Sequence, residues 1–217
     1  MGRKVRTTLA LLFSTLALTG CVTPSQNYAT SKETGTYFTA PASWSKISQK
    51  ELTKVERAST SESAQEKLSL TRWEEAYALS ETTTAADVLS AKAPTEPIAY
   101  ARVRYLNGTE INTASYNFLR DLVFPITSWV EGSITAPSDL TILDDAEVTQ
   151  KAAQGVRTEI SFTGKDGVLQ TFDQTALLST DRRTIYVLIV RCSSTCFEKH
   201  QAALSSIIQS FTVRGDA

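Results

Sequence analysis

Thr184-Ile-Tyr-Val-Leu-Ile-Val-Arg-Cys192 is a continuous apolar segment near the end of this 217-residue chain. Successive side chains of a strand point to opposite faces of its sheet, and in this segment both faces are apolar. One face carries Ile185, Val187 and Ile189, and the other carries Tyr186, Leu188, Val190 and Cys192. Because a strand with two apolar faces must be covered on both sides, we predict that it lies centrally in a layered sandwich.

Three more strands precede this segment, and a helix follows it. Alternating apolar residues predict strands over 140–148, 156–163 and 168–178, and Gly164-Lys-Asp-Gly167 is typical of a tight hairpin turn. Consecutive strands joined by short loops are antiparallel. Thr195-Cys-Phe-Glu198 has the spacing of a capping box, and apolar residues then recur at helical spacing up to Phe211. These patterns predict an α+β fold, a three-layer α/β/α sandwich with a mainly antiparallel central sheet and the C-terminal helix packed on it.

The middle of the chain adds weaker signals. A capping box at Ser48-Gln-Lys-Glu51 predicts a short helix up to Arg57, and an apolar stripe predicts a second helix over 113–124. Residues 72–80 fit a strand or a helix, and we favour the strand. Residues 98–106 alternate as a strand. The polar residues 59–69 fit a loop or a frayed helix, and 82–97 predict a loop.

The N-terminus has the features of a signal peptide. A basic start at Arg3, Lys4 and Arg6 precedes a short apolar stretch over 7–18 that ends in Leu-Thr-Gly-Cys21. This ending resembles the lipobox of bacterial lipoproteins, in which the cysteine thiol is lipidated and the chain is cut just before it. The alternative is an ordinary signal peptide with an incidental cysteine. We favour lipidation at Cys21, which predicts a lipid-anchored protein of the cell membrane facing the extracytoplasmic side.

These features divide the chain into a signal peptide over 1–20, a flexible lipidated tether over 21–36, and a single domain over 37–217. The tether is rich in Ser and Thr, and the length of the remainder suits one core. The whole chain has a formal net charge of −1 and no basic patch, which argues against nucleic acid as a partner. We expect a monomer.

Cys192 and Cys196 form an even pair in a compartment that favours oxidation. The alternatives to a structural disulfide are two free thiols, a redox pair or a metal site. A C-x3-C spacing with one nearby histidine makes a poor zinc site, and it differs from the C-x-x-C of thiol oxidoreductases. We favour the disulfide and predict neither a metal nor a cofactor.

The order of elements, the early residues Phe38, Pro41 and Trp44, and the closing Ile207-Ile-Gln-Ser-Phe-Thr-Val213 resemble the PsbP-like α/β/α sandwich, in particular the LpqN-type lipoproteins of actinobacteria. The resemblance covers 37–213, and its motifs are structural positions. It implies a non-enzymatic role, since PsbP is an extrinsic subunit of photosystem II and a nuclear relative binds the GTPase Ran. No binding residue of the family maps onto this chain, so the implication rests on the fold.

No catalytic motif stands out. His200 is the only histidine, and the sequence contains no G-x-S-x-G, H-E-x-x-H, Walker or G-x-G-x-x-G pattern. A glycosidase needs two carboxylates, but the members of Glu74-Glu75 and of Asp144-Asp145 point to opposite faces of a strand, which predicts that at least one member of each pair is solvated. We predict that the protein is not an enzyme, although a pair of distant acids stays open.

Three residues are weak candidates for a binding surface. Trp129 follows the helix break at Pro125, and Arg182 and Arg183 lie at a hairpin tip where they could contact an anion. Three hypotheses follow. The first is an adaptor for an envelope protein partner, which an exposed aromatic patch would favour. The second is a carrier or sensor of a small molecule, lipid or glycan, which needs an enclosed apolar cavity. The third, a cell-wall hydrolase, needs two facing carboxylates in a cleft.

Overall fold

The computed structural model describes residues 25–215, so the predicted lipidation at Cys21 lies outside the described residues. The strands are β1 (Gln26–Ser31), β2 (Thr36–Pro41), β3 (Ser45–Ile47), β4 (Thr71–Ala78), β5 (Ile98–Tyr105), β6 (Thr141–Thr149), β7 (Ala153–Thr163), β8 (Leu169–Ser179), β9 (Thr184–Ser193) and β10 (Thr212–Val213). The helices are α1 (Gln49–Glu56), α2 (Glu62–Leu70), α3 (Ala85–Leu89), α4 (Gly108–Thr113), α5 (Tyr116–Arg120), α6 (Ile126–Val130), α7 (Ser194–Lys199) and α8 (Gln201–Ser210). None of the helices within 25–215 has the length and apolar character needed to cross a membrane.

A seven-stranded antiparallel sheet, in the order β3-β4-β5-β9-β8-β7-β6, forms the middle layer. Strand β9 has three strands on either side, and eight of its ten residues are buried. The central strand predicted from its two apolar faces is therefore confirmed, as are the antiparallel strands β6, β7 and β8.

Two apolar clusters cover the sheet. On one side, here called the C-terminal face, helices α7 and α8 and a small sheet in the order β1-β2-β10 pack on residues such as Tyr186 and Leu188. On the other side, here called the helical face, α1 and α3 to α6 pack on residues such as Ile185 and Val187. The α+β sandwich with a C-terminal helix on the sheet is thus confirmed.

The segment predicted to be a flexible tether contains a strand, β1. Residues 26–31, assigned to a flexible tether, pair along their whole length with β2. Ala29 is the only buried residue of β1, so the strand shows no apolar alternation that could reveal it. It is held by backbone pairing and by the side chain of Asn27, whose amide donates to the carbonyl of Trp44 at 3.0 Å.

Caps in the middle of the chain explain why the predicted helix over 113–124 is wrong. Asn107 accepts from the backbone N–H of Glu110 at 2.8 Å and starts α4, and Ser115 accepts from the N–H of Phe118 at 3.2 Å and starts α5. Two caps this close together allow only short helices, because each cap fixes an extended residue at its own position. Of the two alternatives for 59–69, the structure has the helix, α2, whereas the segment 82–97, predicted as a loop, contains the short helix α3.

The last helix also begins differently. The predicted cap Thr195 lies inside the first turn of α7, whose N-cap is Ser193, accepting from the N–H of Cys196 at 3.3 Å. The capping box at Thr195 was therefore wrong by two residues. Cys192 and Cys196 form a disulfide with a Cα–Cα distance of 5.9 Å, which joins the end of β9 to α7. In the chain-entropy model a loop this short contributes about 2 kcal/mol of stability.

Candidate functional site

An apolar cavity of about 570 Å³ lies on the helical face, where β7 turns into β8. Three parts of the chain form its walls: the loop after α3, the segment containing α6, and the β7–β8 hairpin. The lining includes Ala91, Phe124, Trp129, Pro137, Phe162, Gly164 and Gln170. Its size is within the range of pockets that hold small organic ligands.

Three aromatic rings, Phe124, Trp129 and Phe162, line one wall, and Phe172 packs behind Phe124. The Phe124 ring stacks on Trp129 at 5.9 Å and contacts Phe162 and Phe172 edge-on at 4.9 and 5.0 Å. Edge-to-face and offset contacts of this kind are the preferred aromatic geometries and hold the rings rigidly. Phe162 and Phe172 are fixed by the sheet, whereas Phe124 lies in the turn before α6 and Trp129 in α6. A second cavity of about 240 Å³ lies behind Phe124, between the loop after α3 and strands β5, β8 and β9.

Gln170 is the fully buried polar residue of this site, whose lining also includes Ser90, Lys92, Thr163, Lys165 and Asp166. Its side chain is fully buried, and neither the amide nitrogen nor the amide oxygen has a hydrogen-bond partner. A Cβ atom added at Gly164 would lie 2.9 Å from that amide nitrogen, so only a glycine leaves room above it. A buried, unpaired carboxamide costs about 1–3 kcal/mol of stability, and it retains a donor and an acceptor for another molecule.

Two polar contacts position the loop that closes the cavity. From below, the buried guanidinium of Arg191 donates to the backbone carbonyls of Asp87, Val88, Ser90 and Lys92 at 2.6–3.1 Å. From the β7–β8 hairpin, the carboxylate of Asp166 accepts from the N–H of Ala93 at 2.9 Å. Burial lowers the pKa of Arg191 to about 10. Positive charge at the end of α3 complements its C-terminal carbonyls, which explains a buried cation here.

The carboxylates lie elsewhere and are paired with arginines. On the C-terminal face, Arg157 binds Asp144 at 2.7 Å, Glu159 at 2.9 Å and Asp173 at 2.5 Å. Asp144 is partly solvated, as predicted for its pair. The expectation that Glu74 or Glu75 is solvated was wrong, because both are buried. Strand β4 is covered on both faces, so its acids are paired on opposite sides, Glu74 with Arg102 and Glu75 with Lys46.

Asp173 should make stability depend on pH. Burial raises the pKa of Asp173 to about 6, although Arg157 opposes the shift. Since the folded state then binds a proton that the unfolded state releases, this carboxyl lowers the free energy of unfolding by roughly 3 kcal/mol as the pH rises from about 4 to about 6. Urea unfolding at several pH values should show this slope in the native protein and not in Asp173→Asn. The exposed-site variant Glu147→Gln should retain it, and an unchanged slope in Asp173→Asn would contradict the assignment.

The residues singled out from the sequence do not form one site. Trp129 lies in the cavity wall, partly buried rather than on an open patch. Arg182 and Arg183 lie in the β8–β9 turn at the opposite end of β8, and Arg182 donates to the carbonyl of Ala114 at 2.6 Å. The partly buried His200 separates α7 from α8, with Glu96 3.9 Å away. Among residues 25–215, no cluster of three or more His, Cys, Asp or Glu side chains has a geometry that could hold a metal ion.

Sequence reasoning missed Gln170, Phe124 and Arg191. Gln170 and Arg191 interrupt the alternation of β8 and β9 on the helical face, where an apolar residue is expected. That interruption is the signal that could have marked both positions, because a polar residue on a buried face needs a partner or a function.

No family model and no curated protein sequence matches this chain. Among solved structures it is similar to LpqN of Mycobacterium tuberculosis, described as involved in cell envelope biogenesis, with 11% identity over 81% of both chains and a TM-score of 0.44. It is similar to cyanobacterial PsbP of Synechocystis sp. PCC 6803, with 9% identity over 89% of this chain and 95% of that one and a TM-score of 0.46. It is also similar to the Ran-binding protein Mog1p of Saccharomyces cerevisiae, with 12% identity, coverages of 88% and 96%, and a TM-score of 0.44.

The similar structures thus include a PsbP and an LpqN, the two groups that the sequence resembles. At these identities and TM-scores, the similarity transfers no function to this chain.

Proposed function

We propose that this protein is a non-enzymatic binding module of the bacterial cell envelope, anchored in the membrane through lipids on Cys21, and that its cavity binds a small amphiphilic molecule. One observation carries the proposal for the cavity: the carboxamide of Gln170 is buried and unpaired in a wall that also contains the aromatic rings of Phe124, Trp129 and Phe162. The anchor rests on the lipobox-like sequence before Cys21.

The lining defines the chemistry of the ligand. An apolar body would pack against Phe124, Trp129 and Phe162, where removal of its surface from water supplies the affinity. A carbonyl, amide or hydroxyl group on the ligand would pair with Gln170. Desolvating that carboxamide already lowers the stability of the free protein, so pairing it on binding adds affinity at no further desolvation cost to the protein.

Gln170→Met should change ligand binding and protein stability in opposite directions. Replacing the carboxamide by an apolar group of the same length removes an unpaired polar group, so we expect the free energy of unfolding to rise by about 1–2 kcal/mol. Binding of an amphiphile should weaken at the same time, by roughly fivefold or more for one lost hydrogen bond. A protein that becomes more stable and binds less is the signature of a ligand site rather than of a packing defect.

Binding can be measured with the fluorescent probe N-phenyl-1-naphthylamine on the full chain carrying Cys21→Ser, so that no acyl groups compete. Decanol and decanamide should displace the probe better than decane from the native cavity, and Gln170→Met should abolish that preference. Ala91→Trp, at the rim, should fill the cavity and exclude the probe. Trp44→Phe, in the apolar cluster of the C-terminal face, is the matched aromatic control and should bind normally. If Ala91→Trp binds the probe as the native protein does, and Gln170→Met keeps the preference for decanol and decanamide, the proposal is refuted.

The adaptor role for an envelope protein partner is a second candidate. It is favoured by exposed apolar side chains at β6 and α6, among them Val130 and Leu143, which are 64% and 51% exposed. This surface lies outside the cavity, so the two roles are compatible and are tested separately.

A further inference from the structure

Strand β6 ends the central sheet with an unpaired edge. It has nine residues and pairs with β7, and no other strand of residues 25–215 pairs with its outer side. The opposite edge of the sheet is β3, which has three residues. A long free edge presents a row of backbone donors and acceptors, and natural proteins protect such edges by covering, shortening or charging them. The outer edge of β6 is long and has no strand of residues 25–215 paired to it, and charged side chains are what protect it from unspecific pairing.

The charge on this edge is acidic. Strand β6 carries Asp144, Asp145 and Glu147, and the neighbouring strands add Glu159 and Asp173. Two guanidinium groups, those of Arg157 and Arg120, pair with four of these five carboxylates. The edge therefore keeps an excess of negative charge after its internal ion pairs are formed. Glu147 is exposed on the helical face in the second half of β6 and belongs to none of these pairs.

Apolar groups lie beside the same edge. Ile142 and Leu143 are 39% and 51% exposed at the start of β6, and Val130 and Ile134 of the neighbouring segment are 64% and 46% exposed. Between β6 and α6 runs a groove of about 280 Å³, lined by residues that include Ile126, Val130, Ile142 and Asp145. An added strand would alternate its side chains between this groove and the opposite side of the sheet.

A second copy of this chain is a poor occupant of the edge. Antiparallel self-pairing of two β6 strands in the register that places Asp144 opposite Glu147 would bring both copies' acidic residues together, and like charges directly opposite each other are destabilising. The charge pattern instead complements a strand of opposite sign.

We infer that β6 is a docking edge for an extended, basic peptide segment of another protein, which adds as an eighth strand. Its backbone pairs with the outer side of β6, its Lys or Arg side chains lie along the acidic residues, and an apolar side chain enters the groove beside Val130. Strand addition of this kind takes affinity from main-chain hydrogen bonds and specificity from alternate side chains. The surface is separate from the cavity, and the inference does not depend on it.

On β6, Glu147 and Asp145 lie on the same face of the sheet as the groove, because their partners Val156 and Thr158 lie there. The test therefore uses a fluorescein-labelled peptide with Lys and Val on one face, Lys-Thr-Lys-Thr-Val-Thr-Val-Thr-Lys. Its binding to the full chain carrying Cys21→Ser is measured by fluorescence anisotropy. We expect saturable binding that weakens as salt is raised, since exposed charges are screened. Glu147→Lys should weaken binding by roughly fivefold, the effect of reversing one exposed charge next to several cations. Glu66→Lys, the same change on the exposed side of α2, should leave affinity within about twofold. Leu143→Ser should weaken binding, whereas Val168→Ser, at the β7–β8 hairpin, should not.

Two peptides separate strand addition from simple charge attraction. The same sequence with Glu in place of Lys should not bind, and the Lys peptide with alternate backbone nitrogens methylated should lose binding because it cannot pair with β6. Hydrogen exchange of the amides in 141–149 should slow only with the unmodified Lys peptide. Equal binding of the methylated peptide, or unchanged binding by Glu147→Lys, would overturn the inference. So would a dimer in sedimentation experiments that Glu147→Lys disrupts, because the occupant would then be a second copy.

Discussion

Arg191→Ala is expected to lower the free energy of unfolding by about 3–5 kcal/mol. The substitution leaves a void under the loop after α3 and removes the donors for the carbonyls of Asp87, Val88, Ser90 and Lys92. Because that loop forms a wall of the cavity, the same substitution should also abolish binding of the naphthylamine probe.

Urea unfolding would measure the loss of stability, and hydrogen exchange would measure how far the loop after α3 is released. Arg191→Lys should restore only part of the stability, since one ammonium group has three donors and cannot span four carbonyls. Arg183→Ala is the matched control: Arg183 is exposed in the β8–β9 turn, and its loss should change stability by no more than about 0.5 kcal/mol. If Arg191→Ala unfolds at the native midpoint and exchange over 87–92 is unchanged, the guanidinium does not hold the loop.

Arg102→Met is expected to lower the free energy of unfolding by about 3–5 kcal/mol at pH 7. Arg102 lies 3.3 Å from the fully buried carboxylate of Glu74, and its removal leaves that charge with only the hydroxyls of Thr53 and Tyr100, each at 3.0 Å. An unpaired buried charge is far more costly than the pair itself is stabilising. Arg120→Met, which breaks the more exposed pair with Asp145, should cost no more than about 1 kcal/mol.

The pH dependence of this loss identifies its cause. Burial already raises the pKa of Glu74, and the charge of Arg102 opposes that rise. Without Arg102 the pKa of Glu74 should rise further, so that the folded variant gains stability as the pH falls and Glu74 takes up a proton. The deficit should thus be smaller at pH 5 than at pH 8, and Glu74→Gln combined with Arg102→Met should recover most of it. A loss that is equal at both pH values and is not recovered would indicate packing rather than charge.

The sheet could be predicted from the sequence, because the apolar alternation that marks each strand lies within the strand itself. Strands β6 to β9 follow one another with short turns, and their apolar alternation defines both the strand and the buried face. Strand β1 and the helices α4 and α5 could not be predicted. They depend on pairing or capping by polar residues such as Asn107 and Ser115, whose effects compete with apolar periodicity and often override it.

The candidate site was harder to predict from the sequence than the fold. Trp129 was singled out for its position after a helix break, but Phe162 and Gln170, which line the same cavity, lie more than 30 residues further along the chain. Only the three-dimensional arrangement brings them together. The paired carboxylates were sought in the right strands, but Arg157 and Arg102, which neutralise them, come from neighbouring strands that the sequence does not align.

The small sheet of the C-terminal face sets the order in which the protein can fold. Strand β2 pairs with β10, so Tyr37 meets Thr212, and the N–H of Thr39 donates to the hydroxyl of Ser210 at 2.9 Å across 171 residues of sequence. Contacts of such long separation form slowly, since a large loop must close first. The β1–β2 hairpin can form locally during synthesis, but β2 can pair with β10 only after the last strand has been made. We expect the hairpins of β6 to β9 to form early, and the layer over their C-terminal face to close last, leaving that face open to chaperones until the chain is complete.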